Sequence, residues 1–134
     1  HDKPSFTIQI PGEFSKRKPT NGDVFNAYKA FNNLSVSVSK LETNAGMIDA
    51  ARRYVAALKR VGNGNTELIK EVESTLPDGT PVVEVFVKWV TKKNASLTTQ
   101  ALIASDDGYS VTIATHTWEV KLPDKKFFYT LKFD

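Results

Sequence analysis

The stretch Leu76-Pro-Asp-Gly-Thr-Pro-Val-Val-Glu-Val-Phe-Val-Lys-Trp-Val90 decides the fold. It opens with a turn, because Pro77 presets one backbone dihedral and Gly79 accepts a positive φ. Beyond the turn, Val83, Val85, Val87 and Trp89 fall on one side, while Val82, Phe86 and Val90 interrupt the charges on the other. Strand side chains alternate between faces, so apolar groups on both sides predict a strand over Pro81 to Lys93 that is covered on both. Thr66 to Leu76 leads into the turn as a strand, and Ala95 to Ser105 follows as the next. Asp106-Asp107-Gly108 then turns the chain, and Tyr109 to Thr117 returns with Tyr109, Val111 and Ile113 on one side. Residues 66 to 117 are therefore expected to form an antiparallel meander of four strands.

The period changes upstream. Ile48, Ala51, Val55 and Leu58 recur at helical spacing, and Arg52, Arg53, Lys59 and Arg60 lie mostly off that stripe as its wet face. Asn44 suits the N-cap, Asp49 the first turn, Lys59 and Arg60 the negative C-terminal end, and Gly62 a left-handed cap. These signals predict a helix over about 47 to 61. Before it, Leu34, Val36 and Val38 alternate with Ser35, Ser37 and Ser39, so one strand face is apolar and the other carries hydroxyls. Asp23 to Phe31 places Phe25, Ala27 and Phe31 together, and an Asn32-Asn33 turn joins the two strands into a hairpin. Residues 11 to 22 read as a solvated loop, and Phe6, Ile8 and Ile10 alternate in a first strand that Pro11-Gly12 ends. At the C-terminus Leu122 to Phe133 fits two readings. Pro123 and Asp124 suit a helix start with Phe127, Phe128 and Leu131 as its apolar face, whereas aromatic and β-branched content suits a strand.

With 134 residues the chain is expected to form one domain, residues 1–134, around one core. Hydrophobic residues at 40% and charged residues at 25% are the balance of a soluble globular domain. The net charge of +3 comes from 18 basic and 15 acidic residues. Basic runs at Lys16-Arg17-Lys18, Arg52-Arg53, Lys59-Arg60, Lys92-Lys93 and Lys125-Lys126 are spread along the chain with acids between them, so no nucleic-acid partner is expected. Cysteine is absent, which removes disulfides, thiol nucleophiles and thiolate metal sites. No apolar run approaches the roughly 20 residues that span a bilayer. The chain begins at His1 without an initiator methionine, which a removed leader or a trimmed terminus would explain. The tripeptides Asn33-Leu34-Ser35 and Asn94-Ala95-Ser96 match the glycosylation pattern at the level of chance.

The order of these elements resembles a known family. Phe6-Thr-Ile-Gln-Ile-Pro11, Asn33-Leu-Ser-Val-Ser-Val38, Leu76-Pro-Asp-Gly79 and Phe127-Phe-Tyr-Thr-Leu-Lys-Phe133 are similar in order and spacing to PsbP, the extrinsic subunit of photosystem II. That fold is shared with a Ran-binding nuclear import factor, bacterial DcrB-like lipoproteins and secretion chaperones. The resemblance implies an α+β fold, an α/β/α sandwich on a central antiparallel sheet, with one long helix after the first hairpin. It also tips the C-terminus towards a short closing helix. It further implies a domain without catalysis that binds or assembles protein partners as a monomer or homodimer. Many bacterial members are exported, so a periplasmic or membrane-anchored place is expected, with any lipid-bearing cysteine upstream of His1. No metal-binding residue of the family has a matching motif here.

Residue chemistry points the same way. His116 has no second histidine or cysteine at metal-ligand spacing, and Asp106-Asp107-Gly108 lacks the remaining ligands of a calcium loop. Gly62-Asn63-Gly64-Asn65 follows a helix where a phosphate loop would precede one, and reads as a C-cap and connector. Glu67, Glu71 and Glu73 read as one exposed face of a strand. No cofactor is expected. The constellation retained as a binding surface for a partner or ligand is Ser37, Ser39, Thr98, Gln100, Ser110, Thr112 and His116, with Ser96 beside it. These small polar groups could share one sheet face as a groove or lie open to water. His116 follows Ser110, Thr112 and Ala114 on alternate positions and is expected to be structural, at the rim of that face. The alternatives to a protein-binding domain are a small-ligand carrier with a pocket between sheet and helix, and an enzyme with an acid-base pair at His116.

Overall fold

The expected meander forms, and the N-terminal hairpin joins its inner edge. A computed structural model describes residues 4–19, 23–29, 31–41, 46–118 and 125–134. Strands β1 (Phe6–Thr7), β2 (Ser15–Arg17), β3 (Asp23–Lys29) and β4 (Asn32–Lys40) precede helix α1 (Met47–Val61). Strands β5 (Gly62–Thr75), β6 (Pro81–Thr91), β7 (Ser96–Asp106) and β8 (Tyr109–Thr117) follow. A 3-10 helix over Lys126–Thr130 and strand β9 (Lys132–Phe133) close the described chain. The main sheet has 7 strands in the order β2-β3-β4-β8-β7-β6-β5. All its neighbours pair antiparallel, with Val36 opposite Ile113 where the hairpin meets the meander.

The two faces are covered differently. On one, Ala51 and Leu58 of α1 pack on Val83, Val85, Val87 and Trp89 of β6 and on Leu97, Ala101 and Ile103 of β7. On the other, Phe127 and Phe128 of the 3-10 helix and Leu131 just after it lie against Leu34, Val36, Leu102, Val111 and Ile113, flanked by Phe6, Ile8, Ile10 and Phe14. Phe127 and Phe128 meet edge to face at 4.8 Å. β9 pairs with β1, Phe6 opposite Phe133, so both ends of the chain clamp the same face. Central strand β8 is buried on both sides through Ala114, its core.

Several local expectations change. The closing helix is a single 3-10 segment followed by a strand, so the C-terminal stretch is partly both. Pro123 and Asp124 lie outside the described residues, as does Asn44. The residue capping α1 is Gly46, whose carbonyl accepts from Ala50 N–H at 3.1 Å with no side-chain cap. Gly62 is extended, at φ −88°, and starts β5 directly, so the Gly62-Asn63-Gly64-Asn65 connector belongs to a strand. Its lack of a side chain serves a close approach, because a Cβ there would stand 2.5 Å from Val90 O. The first hairpin turns between Lys29 and Asn32. Asn32 pairs inside the sheet, and Phe31 sits exposed at the turn instead of beside Phe25 and Ala27. The loop over 11–22 contains edge strand β2, and the first strand is shorter than Ser5 to Ile10. A bulge between Leu68 and Lys70 rotates β5 halfway along, so Glu67 lies opposite Lys88 on one face while Glu71, opposite Val85, and Glu73 lie on the other.

Candidate functional site

Helix α1 covers the β5–β7 half of its sheet face and leaves the β8–β4–β3 half as a trough. The alternation in β4 and β8 lines this trough with hydroxyls. Ser35 lies opposite Ala114, Ser37 opposite Thr112 and Ser39 opposite Ser110. The trough has two connected hollows, each of about 560 Å³, that share Asp23, Ser37, Tyr54 and Ala57. One extends past Ser39, Ser110 and Thr112 to Lys40, the other past Asn33, Ser35 and His116 to Trp118. Ser110 and Thr112 are only 6% and 7% exposed, so this part of the face is covered by the helix side chains above it.

A hydrogen-bonded chain forms the floor at the Trp118 end. The Trp89 indole N–H donates to Thr99 Oγ1 at 2.8 Å, and Thr99 Oγ1 lies 2.7 Å from His116 Nδ1. His116 Nε2 lies 3.3 Å from Ser35 Oγ. Trp89 can only donate, so Thr99 Oγ1 accepts from it, while the directions of the Thr99–His116 and His116–Ser35 bonds follow the imidazole tautomer. Trp89 also stands edge-on to the imidazole, with ring centroids 6.4 Å apart. Burial pushes the His116 pKa down to about 4, since a charged ring would lose water and gain no carboxylate. A neutral, doubly hydrogen-bonded imidazole is thus fixed in one orientation with Ser35 as its only groove-side partner on this chain of bonds.

The far wall of the trough is β3. Asn26 Nδ2 donates to Asp23 Oδ2 at 2.8 Å, while burial still holds the Asp23 carboxyl above its ordinary range. Tyr54 of α1 faces it, and burial together with the Asp23 charge pushes the phenol well up. Arg17 of β2 stacks over the Tyr28 ring at 4.5 Å. The site presents hydroxyls, one imidazole, one carboxyl and one phenol without a convergent metal-ligand set among the described residues.

The structure brings together Ser37, Ser39, Ser110, Thr112 and His116, but separates Thr98 and Gln100. Register settles this. Thr99 is opposite His116, so Thr98 and Gln100 point to the other face together with Ser96. Thr98 and Ser96 line a wider depression of about 680 Å³ there, beside Phe86 and Lys88. Gln100 lines a hollow of about 150 Å³ near Phe128, and its Oε1 and the neighbouring Thr115 Oγ1 have no hydrogen-bond partner among the described residues. The residues missed were Thr99, Ser35, Trp89, Asp23 and Tyr54. Ser35 was legible as one more step of the Ser37 and Ser39 alternation. Thr99 was not, since Thr98 and Thr99 differ only in the face they occupy.

A partly covered antiparallel sheet, one long helix on one face and a terminal clamp on the other define the PsbP-like fold, with a polar trough beside the helix. Solved structures bear out the fold. The solution structure of cyanobacterial PsbP (CyanoP) from Synechocystis sp. PCC 6803 is similar with a TM-score of 0.70 and 14% identity, covering 100% of this chain and 94% of that one. PA94 from Pseudomonas aeruginosa, a protein of unknown function, is similar with a TM-score of 0.54 and 14% identity, over 85% of this chain and 69% of its own. No model of a known protein family and no curated protein matches the sequence. At such identities the shared property is the fold.

Proposed function

We propose that the chain, acting as one domain, is a non-enzymatic binding or assembly module that works outside the cytoplasm and seats an extended polar segment of a protein partner in the trough beside α1. The observation that carries this reading is the trough itself, open along β4 from Asn33 to Lys40. At about 3.3 Å per strand residue that is roughly 20 Å, the length of a short extended segment. Its hydroxyls and the fixed His116–Ser35 pair offer hydrogen bonds to side chains and backbone laid across them. Catalysis is disfavoured because an imidazole with a pKa of about 4 is a weak base, and its second nitrogen rests on Thr99 where a carboxylate would strengthen it. The fold of cyanobacterial PsbP supports a binding role by resemblance.

The test is a groove-filling variant. Ser37→Trp should abolish crosslinking to the partner segment from a photoreactive group placed at Ser39, while the fold, followed by circular dichroism, is kept. Crosslinking that persists in Ser37→Trp would move the binding surface elsewhere. One observation favours a small-ligand carrier as the second reading: the hollow at His116, about 560 Å³, has the size of ordinary small-molecule pockets. A small molecule that stays on the protein in native mass spectrometry and leaves on Ser37→Trp would select that reading.

A further inference from the structure

Basic pairs that are far apart in sequence meet at one end of the molecule. Gly62, which follows the last turn of α1, pairs with Thr91, which precedes the β6–β7 turn, and Asn63 Nδ2 donates to Asn94 Oδ1 at 3.2 Å. The last turn of α1 with Lys59 and Arg60 and the β6–β7 turn with Lys92 and Lys93 therefore lie at the same end, Arg60 also bordering the trough, and none of the four has an ion pair among the described residues. Four aspartates lie at the opposite end, with Lys40 near them, while Glu13, 3.0 Å from Lys29, lies towards the basic end. Asp49 lies in the first turn of α1, Asp78 in the β5–β6 turn, and Asp106 and Asp107 at the β7–β8 turn.

The basic end also carries exposed apolar side chains. Phe31 is 62%, Val61 57% and Trp118 45% exposed. The Trp118 backbone N–H donates to Phe31 O at 3.2 Å, and Trp118 and Val61 border the same hollow, so the three form one cluster. They sit at chain turns and element ends, Val61 and Trp118 on the rim of that hollow, where they can meet a flat surface. Trp and Phe with cations beside them match the chemistry of a headgroup layer, where rings lie at the acyl boundary and Lys or Arg meets lipid phosphate.

We propose that this end docks on an anionic lipid bilayer surface, with Phe31, Val61 and Trp118 entering the headgroup region and Lys59, Arg60, Lys92 and Lys93 against phosphates. No described helix is long and apolar enough to cross a membrane, so the contact is peripheral. The experiment mixes the full chain at low salt with vesicles of equal parts phosphatidylglycerol and phosphatidylcholine, or of phosphatidylcholine alone. The protein should sediment with the anionic vesicles only, and tryptophan emission should move to shorter wavelength. Trp89 is already buried, so that shift reports Trp118. Phe31→Ser should weaken binding about fivefold, and Lys92→Glu with Lys93→Glu about twentyfold or more. Phe31, Lys92 and Lys93 do not line the trough, so both variants should keep the wild-type melting temperature, and Ser37→Trp should leave vesicle binding unchanged. Failure to sediment, sedimentation indifferent to both variants, or sedimentation without an emission shift would overturn the proposal. So would retention on an acidic polypeptide such as polyglutamate with no vesicle binding, which would assign this end to an acidic protein.

Discussion

The two faces of one sheet are built on opposite principles. The face under the 3-10 helix is filled by Phe127, Phe128 and Leu131, drawn in from the end of the chain, over Leu34, Val36, Leu102, Val111 and Ile113, and turns polar only towards Thr98 and Gln100. The face under α1 is apolar over β6 and β7 and turns to hydroxyls and His116 over β8 and β4. One helix does not cover all the strands from β5 to β3, and the polar side chains stand beneath its edge, where only residues such as Tyr54 and Ala57 border them. The difference teaches that a chain end can fill one face of a sheet while a single helix leaves a polar strip on the other.

That contrast can be broken by single substitutions. The largest effect belongs to the filled face: Phe128→Ala should cost about 3–5 kcal/mol, read from denaturant midpoints, because the ring is fully enclosed and its neighbours are anchored in strands. A loss below about 1 kcal/mol would mean that the terminal clamp holds little of the fold.

On the trough side the next effect is one of pH. The folded pKa of His116, about 4, lies below its ordinary value of 6.5, so the unfolded chain takes up the proton first as the solution is acidified. Stability is unaffected by this group above 6.5, falls as pH drops from 6.5 to 4, and is flat again below. The ring is partly open to the trough, so the total is on the order of 2 kcal/mol. Asp23, with its carboxyl held high, acts with the opposite sign at the acid end of this window. His116→Gln isolates the histidine, and melting curves from pH 7 to 4 should lose the corresponding slope. An unchanged slope, or an imidazole resonance titrating near 6.5, would show that the relay does not enclose the ring.

The smallest effect comes from adjacent residues on opposite faces. Ser37→Ala should change stability by less than about 0.5 kcal/mol, whereas Val36→Ala should cost roughly 2 kcal/mol. Equal losses would erase the distinction between a filled face and an open one.

Much of this was legible in the residues. Helix α1 falls on the expected 47–61 because its apolar stripe is long and unbroken. The Leu76 to Gly79 turn closes as its proline and glycine require, with Gly79 N–H donating to Leu76 O at 2.8 Å and Asp78 accepting from Thr80. The β4 alternation placed Leu34 and Val36 in the core and Ser37 in the trough. Elsewhere local signals were weak. The 3-10 segment and β9 divide a stretch whose residues suit either state.

The amino-acid sequence by itself determined where α1, β4 and the four strands of the meander lie and which side chains alternate within β4 and β6, because these follow from periods of 3.6 and 2 that neighbouring residues carry. Only the tertiary structure decided that β4 pairs with β8, that the Leu68 bulge splits the acids of β5, and that Thr99 rather than Thr98 meets His116. The physical reason is register: a shift of one residue exchanges the two faces of a strand, and strands apolar on both sides carry no local mark of which face is which.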